Sequence, residues 1–425
     1  MYRQQQPKHS LMFGFVLVAY CIGALFASPL RLASPTIGLR TVAHYLGTEE
    51  DAGGWEYSIA SRVQNGTSSA CFNITTLSST LSNYGLLQLD RPQVTSITDS
   101  VFDWWYYDVV SETNPKESIV VILFASSATA FPWLDPSLDT VLVAYLWASF
   151  ENGTVFSDFV PATLATVRGG EDATVSSYGG WSETGFNWIS KTDDLSPYEI
   201  IIQSEEMQVQ GRVVLTSPQK PHLPCGIQSP SSSLEIFPHI GWASIIPDAT
   251  GLVGVSVRGS SLEFQGRGYH DKNWSDRPFT ESVQSWYWGH GRLGPYSVVW
   301  FDGIDTTKKT RTSSYVSRDG VVLVSSCTPS ALKVRPIGAF NSTGARYPPQ
   351  AGDIPTGFQL VFDLGEENGL LRVNATAEAL LTGDGRTYFR WSGPLTGQLI
   401  KDTGSSQEDL SGVAVFEQFA LIGID

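Results

Sequence analysis

The sequence predicts an all-β protein, and three observations carry that expectation. Short apolar runs rich in β-branched and aromatic residues recur along the chain, other stretches alternate apolar with polar, and Gly-rich turns separate them. Apolar residues at helical spacing are almost absent. The 425 residues, 16% charged and 12% aromatic, suit a folded chain of two domains or one large β-rich unit.

Taken in order, Arg3 and Lys8 precede a 17-residue apolar stretch, Leu11 to Ala27, which predicts a signal peptide over 1–27. A retained anchor is the alternative, because the stretch is near the lower limit for spanning a bilayer. No later segment is long and apolar enough to span. Asp103-Trp104-Trp105-Tyr106-Tyr107-Asp108 alternates two sets of side chains across a strand. Ile119–Phe124, Val141–Trp147 and Tyr198–Gln203 are apolar strand runs, and Met207 to Leu215 alternates. Residues 217–234, with Pro218, Pro221, Pro224, Pro230 and a serine run, predict a linker. One β domain is therefore expected over 34–216 and a second over 235–425. In the second, Leu371 to Ala379 alternates, and Gly383-Asp384-Gly385 marks a turn.

The formal charge of −15 becomes −17 once Arg3 and Lys8 leave, which argues against nucleic acid and anionic membranes as partners. Asn65, Asn73, Asn152, Asn273, Asn341 and Asn374 head glycosylation sequons, a set consistent with the secretory pathway, whether secreted or lumenal. Cys71, Cys225 and Cys327 allow one disulfide and one free thiol, with three pairings open. There is no Gly-X-Ser-X-Gly, His-Glu-X-X-His, phosphate loop or dinucleotide fingerprint. Hydrolase, kinase and metalloenzyme readings are poorly supported, and no metal or other cofactor is expected.

Two aromatic stretches stand out: Gly268-Tyr269-His270-Asp271-Lys272-Asn273-Trp274, and Trp286-Tyr287-Trp288-Gly289-His290-Gly291-Arg292 running on to Phe301. Together with Asp103–Asp108 and Arg390-Trp391-Ser392-Gly393-Pro394-Leu395-Thr396-Gly397, they resemble the carotenoid 1,2-hydratase-like, lipocalin-like superfamily. More narrowly, they resemble its fungal Diels–Alderases. The resemblance spans roughly residues 50 to 425. It departs at Ser275, where glycine is expected, and in the leader. It implies an N-terminal β-sandwich followed by a lipocalin-like β-barrel, with a ligand pocket where the two meet. It also implies small-molecule polyketide and terpene substrates. Leader and sequons point to the members that join an ortho-quinone methide, from a polyketide or tropolone, to a terpene alkene such as humulene. Decalin formation, a hydratase or dehydratase, and a non-catalytic carrier are the rivals. The oligomeric state is not legible.

A cycloaddition needs no nucleophile, metal or redox group. It needs rings to hold two partners together and a donor to polarise one of them. On 269–274, Tyr269, Asp271 and Asn273 point one way and His270, Lys272 and Trp274 the other. A glycan on Asn273 would turn its face to solvent, which leaves His270 as donor or proton shuttle and Trp274 as stacking wall. A structural role for His270, bonded to Asp271 or backbone, is the competing reading. Asp271 is a further acid candidate, and Arg292 a candidate to hold an anionic oxygen. Trp286, Trp288 and His290 share a face of the next strand and are candidate substrate contacts. So are Trp104, on one face of its strand, Trp105 and Tyr107, on the other, and Trp391. Each of these aromatics is also readable as core, and Trp391, with its neighbour Arg390, ranks below the others.

Overall fold

The computed structural model describes residues 54–73, 84–172, 175–227, 232–339, 346–401 and 409–423. The predicted leader and Asn341 lie outside them. Two strongly curled antiparallel sheets make up this part of the chain, of fifteen and ten strands, as expected of an all-β protein. Only two short helices interrupt them among the described residues, Tyr84–Asp90 and Phe279–Ser282. No described helix is long and apolar enough to cross a membrane.

The first sheet is organised by one long hairpin, Ile240–Val257 with Ser260–Ser275. Its tight turn places Arg258 and Gly259 at φ 50° and 84°. Two consecutive left-handed residues match the twist of paired strands, which is why glycine closes the turn. The first strand pairs with Val209–Thr216, and the second with Phe102–Ser111. Register shifts at Ser244/Ile246 and Ile246/Ala249 put bulges in this hairpin, and bulges sharpen local bend and twist. The chain passes to the second sheet between Ser275 and Val283, so this hairpin, which the sequence division sets after the linker, pairs within the first sheet.

The second sheet centres on Val283–Leu293, bonded to Tyr296–Asp305 on one side and Asp409–Ala420 on the other. Two side chains of the expected linker, Cys225 and His222, are tied to it, while His222–Leu223 pairs in the first sheet. Cys225 bonds Cys327, leaving Cys71 free. His222 sits between the Ser313 and Ser325 hydroxyls, both at 2.9 Å. Burial pushes this imidazole down to about 3, so it is neutral at neutral pH and bonds one hydroxyl as donor and the other as acceptor.

Three apolar cores result. One fills the first sheet's curl and includes Trp105, Tyr107, Trp181, Trp188 and Trp274. Another fills the second sheet's curl around Trp300, Phe358, Trp391 and Phe416. The third lies between the sheets and gathers Trp104, Tyr106 and Tyr269 with Trp286, Trp288 and Phe419. Period-two alternation decides which core each side chain joins.

Candidate functional site

A cavity of about 220 Å³ opens in the core between the sheets. The first sheet contributes Trp104 and Tyr106, Ile122 and Phe124, Tyr145 and Trp147, and the polar pair Asp271 and Asn273. The second sheet answers with Trp286, Trp288, Phe301, Tyr388, Arg390, Glu417 and Phe419. Phe131, Trp133 and Leu134, from the connection between two first-sheet strands, and Thr382 to Asp384 complete the lining. At the rim the Trp133 indole N–H donates to the Asp384 carboxylate at 3.2 Å. Apolar walls with a few convergent polar groups are the usual make-up of a small-molecule site.

The polar groups form two linked clusters. In the first, the Asp271 carboxylate accepts from Trp242 Nε1 at 2.8 Å, from the Tyr269 hydroxyl at 2.9 Å and from Asn273 Nδ2 at 3.0 Å. Burial pushes this carboxyl up to about 7 despite those bonds, and the negative charges of Glu417 and Asp108 act in the same direction. Asp271 is therefore poised to give and take a proton near neutrality. Behind it, Tyr269 stacks on His290 with ring centres 4.3 Å apart, and His290 Nε2 meets Asp108 at 2.9 Å. Tyr106 donates to the same Asp108 oxygen.

In the second cluster, Glu417 Oε2 accepts from Arg390 Nε and Nη2, at 3.1 and 2.7 Å, and from the Tyr388 hydroxyl at 3.0 Å. Its other oxygen accepts from Trp286 Nε1 at 3.2 Å. The guanidinium stands 4.6 Å over the Tyr106 ring. Arg390 is 5% exposed, and its Nη1 has no hydrogen-bond partner among the described residues.

The residues singled out in the sequence separate into four groups. Trp104, Trp286, Trp288 and Asp271 line the cavity. His290 stands one shell behind it, against Asp108 and Tyr269. His270, Trp274, Trp105 and Tyr107 occupy the opposite face of the same two strands, inside the first sheet's core. There His270 Nδ1 meets the Tyr106 carbonyl oxygen at 2.9 Å, Nε2 meets Asp90 at 3.2 Å, and the ring stacks on Tyr107. Trp274 donates to the Cys71 carbonyl. Arg292 pairs with Asp248, and Trp391 stacks on Phe389 in the second sheet's core.

The difference for His270 and Trp274 has a definite cause. Asn273 is 7% exposed and bonds Asp271, so its side of the strand faces the cavity and not solvent. The alternation was legible, but the sequon suggested the wrong side of it. Asn65, Asn73, Asn152 and Asn374 are exposed.

Sequence reasoning passed over Tyr106, Asp108, Tyr388 and Glu417 as site residues and ranked Arg390 below the others. Tyr106 and Asp108 share a face with Trp104, and Tyr388 and Arg390 alternate with Trp391, so the parity of two flagged strands held the signal. Nothing local marks Glu417.

Comparison with known proteins agrees with this architecture. A family model described as Diels-Alderase-like matches residues 71–365. The quinolone epoxide rearrangement protein penF of Penicillium thymicola is 32% identical over 336 residues, covering 78% of this chain and 89% of that protein. Its counterpart asqO of Emericella nidulans is 33% identical, over 68% of this chain and 77% of that one. The Diels-Alderase pyiF of Pyricularia grisea is 25% identical, over 65% of each chain. In structure, the chain resembles CghA, crystallised with Sch210972, at a TM-score of 0.66 and 16% identity, over 86% of this chain and 99% of that one. These matches show that the chain belongs to the Diels-Alderase-like family.

Proposed function

We propose that this protein is an enzyme of secondary metabolism that isomerises an unsaturated, oxygenated small molecule in the cavity between its sheets, with Asp271 as general acid. The carrying observation is one carboxyl group, fully buried, raised to about 7 and set in an aromatic cage. A protonated Asp271 delivers its proton to an epoxide oxygen as the C–O bond breaks. Trp104, Trp286 and Trp288 line the cavity, where an indole π-face would favour the carbon cation left behind. A neighbouring group migrates, a carbonyl forms, and the hydroxyl proton returns to the carboxylate, so mass is unchanged. General acid catalysis of this kind contributes about 10²–10⁴-fold. Similarity to penF and asqO supports an epoxide-bearing quinolone as substrate.

A stereoselective hetero-Diels–Alder reaction is the second reading; the relatives named Diels-Alderase support its coarser part, a Diels–Alder cycloaddition. There Asp271 would assist loss of water from a benzylic alcohol, and the walls would hold the resulting ortho-quinone methide against a terpene alkene such as humulene. Both readings run on this chain's own acid and aromatic walls. A sandwich-like first half, a lipocalin-like second half and residence in the secretory pathway complete the proposal. The disulfide and the exposed sequons support the compartment.

Incubation with a quinolone bearing an epoxide conjugated to an aryl or alkenyl group, followed by chiral mass spectrometry, tests the reaction. An enantio-enriched isomer of unchanged mass, formed by wild type and lost in Asp271→Asn, is the expected result. An adduct of summed mass minus water, from a benzylic-alcohol tropolone and humulene, would move the assignment to the second reading. Binding without turnover of either would leave a carrier.

A further inference from the structure

We infer that Arg390 is the docking point for a neutral carbonyl oxygen of the substrate, an amide or lactam carbonyl held beside the ring that reacts. The inference rests on the proposed function in one respect: it takes the cavity between the sheets as the substrate site. The geometry carries the rest. Arg390 spends Nε and Nη2 on one oxygen of Glu417, so its fork closes on a single acceptor. Nη1 remains on a buried cation, with no partner among the described residues. Buried donors of charged groups are rarely left unmade, because their lost hydration is not recovered. An acceptor brought by a ligand into the cavity that Arg390 lines would satisfy it.

The neighbouring charges select the kind of acceptor. Glu417 already balances the guanidinium at 2.7 Å, and Asp108 sits behind Tyr106, whose ring the guanidinium covers. A substrate carboxylate would place another negative charge beside these two, whereas a neutral carbonyl would not. An amide oxygen is the strongest neutral acceptor in ordinary metabolites, and a flat lactam fits between aromatic walls. Asp271 and Arg390 would then grip two different oxygens of one molecule, which fixes its orientation.

Two probes separate the carbonyl from the rest of the molecule. 3,4-Dihydroquinolin-2(1H)-one carries the lactam, and 1,2,3,4-tetrahydroquinoline replaces its carbonyl with a methylene. Calorimetric titration of the disulfide-bonded protein should show the lactam binding at least about tenfold more tightly, the lower end of what one hydrogen bond from a charged donor contributes. In Arg390→Lys, which keeps a charge for Glu417, the preference should fall to about threefold or less. The double variant Arg390→Met/Glu417→Gln, which leaves no unpaired charge, should show the same loss, with circular dichroism confirming the fold. Equal binding by wild type, no binding of either probe, or a preference that survives in both variants would overturn the assignment. A failed rearrangement assay with the lactam preference intact would sink the proposed reaction and leave Arg390 in its role. Turnover without the preference would do the reverse.

Discussion

The strand pair Phe102–Ser111 and Ser260–Ser275 offers two faces built from the same kinds of residue, and they do different things. On one, Asp103, His270 and Lys272 lie among Trp105, Tyr107 and Trp274, all essentially without exposure. Lys272 meets Asp103 at 2.7 Å and lies 3.5 Å over the Trp105 ring. Asp90 accepts from Ser177 and Tyr198 and faces His270. Burial drives its carboxyl upward, but His270 and the two hydroxyls outweigh that and hold it below the ordinary value. On the other face, Tyr106, Asp271 and Asn273 look into a void shared with the second sheet. Acids and tryptophan occur on both. The difference is space, and a donor left over: a buried charge network is a site only where something can enter it.

The largest effect should come from breaking the closed face. Lys272→Met strands Asp103, and loss of one member of a buried pair typically costs about 3–5 kcal/mol. Urea denaturation should show that loss, while Lys272→Met/Asp103→Asn should recover most of it. A single variant as stable as wild type would mean the pair is not a fixed part of this core. On the open face, Asp271→Asn should lower turnover about 10²-fold or more with the fold intact, since Trp242 and Tyr269 keep a carbonyl oxygen to bond. Turnover in that variant near the wild-type level would erase the functional contrast between the faces.

How much of this contrast was legible follows from strand parity. Alternation correctly set Trp286, Trp288 and His290 on one side, Tyr287 on the other, and split 269–274 into its two sets. Parity cannot say which side meets a void, because that depends on what a distant sheet places opposite. Tyr388, Arg390 and Glu417 reach the cavity from strands more than a hundred residues beyond Asp271, and no short motif announces them. The Asn273 sequon pointed to solvent, and only packing shows that the amide is an internal ligand of Asp271. Trp391 drew attention by residue type, while its neighbour Arg390 holds the cavity position.

Smaller effects sharpen the comparison. The Asp271 carboxyl stands at about 7 in the folded chain against an ordinary 3.8, so the folded state holds a proton that the unfolded state has lost between those values. Its contribution to stability is therefore fully present below the ordinary value and is lost as pH rises through about 7. Asp271→Asn should flatten that part of a stability-versus-pH curve, and the wild-type rate should fall above about pH 7 as the acid form disappears. A wild-type rate that is level through that range would separate Asp271 from proton delivery. At the rim, Trp133→Phe removes one exposed hydrogen bond to Asp384 and should raise KM a few-fold with kcat nearly unchanged. Smallest of all, glycan mapping of protein made through a eukaryotic secretory pathway should find sugar on exposed Asn65, Asn73, Asn152 and Asn374 and none on Asn273. A glycan at Asn273 would place the open face in solvent and reverse the assignment of the two sides.

The long hairpin also sets the order in which the chain can be completed. Strand Phe102–Ser111, with its two tryptophans and two tyrosines, gains its second neighbour only when Ser260–Ser275 arrives, and Val209–Thr216 waits for Ile240–Val257. A nascent chain that has passed residue 216 but not 275 therefore carries two unpaired strand edges, one of them strongly aromatic, the kind of surface on which chains adhere to one another. The interval between those two residues is where yield would be won or lost when the protein is made in a foreign host.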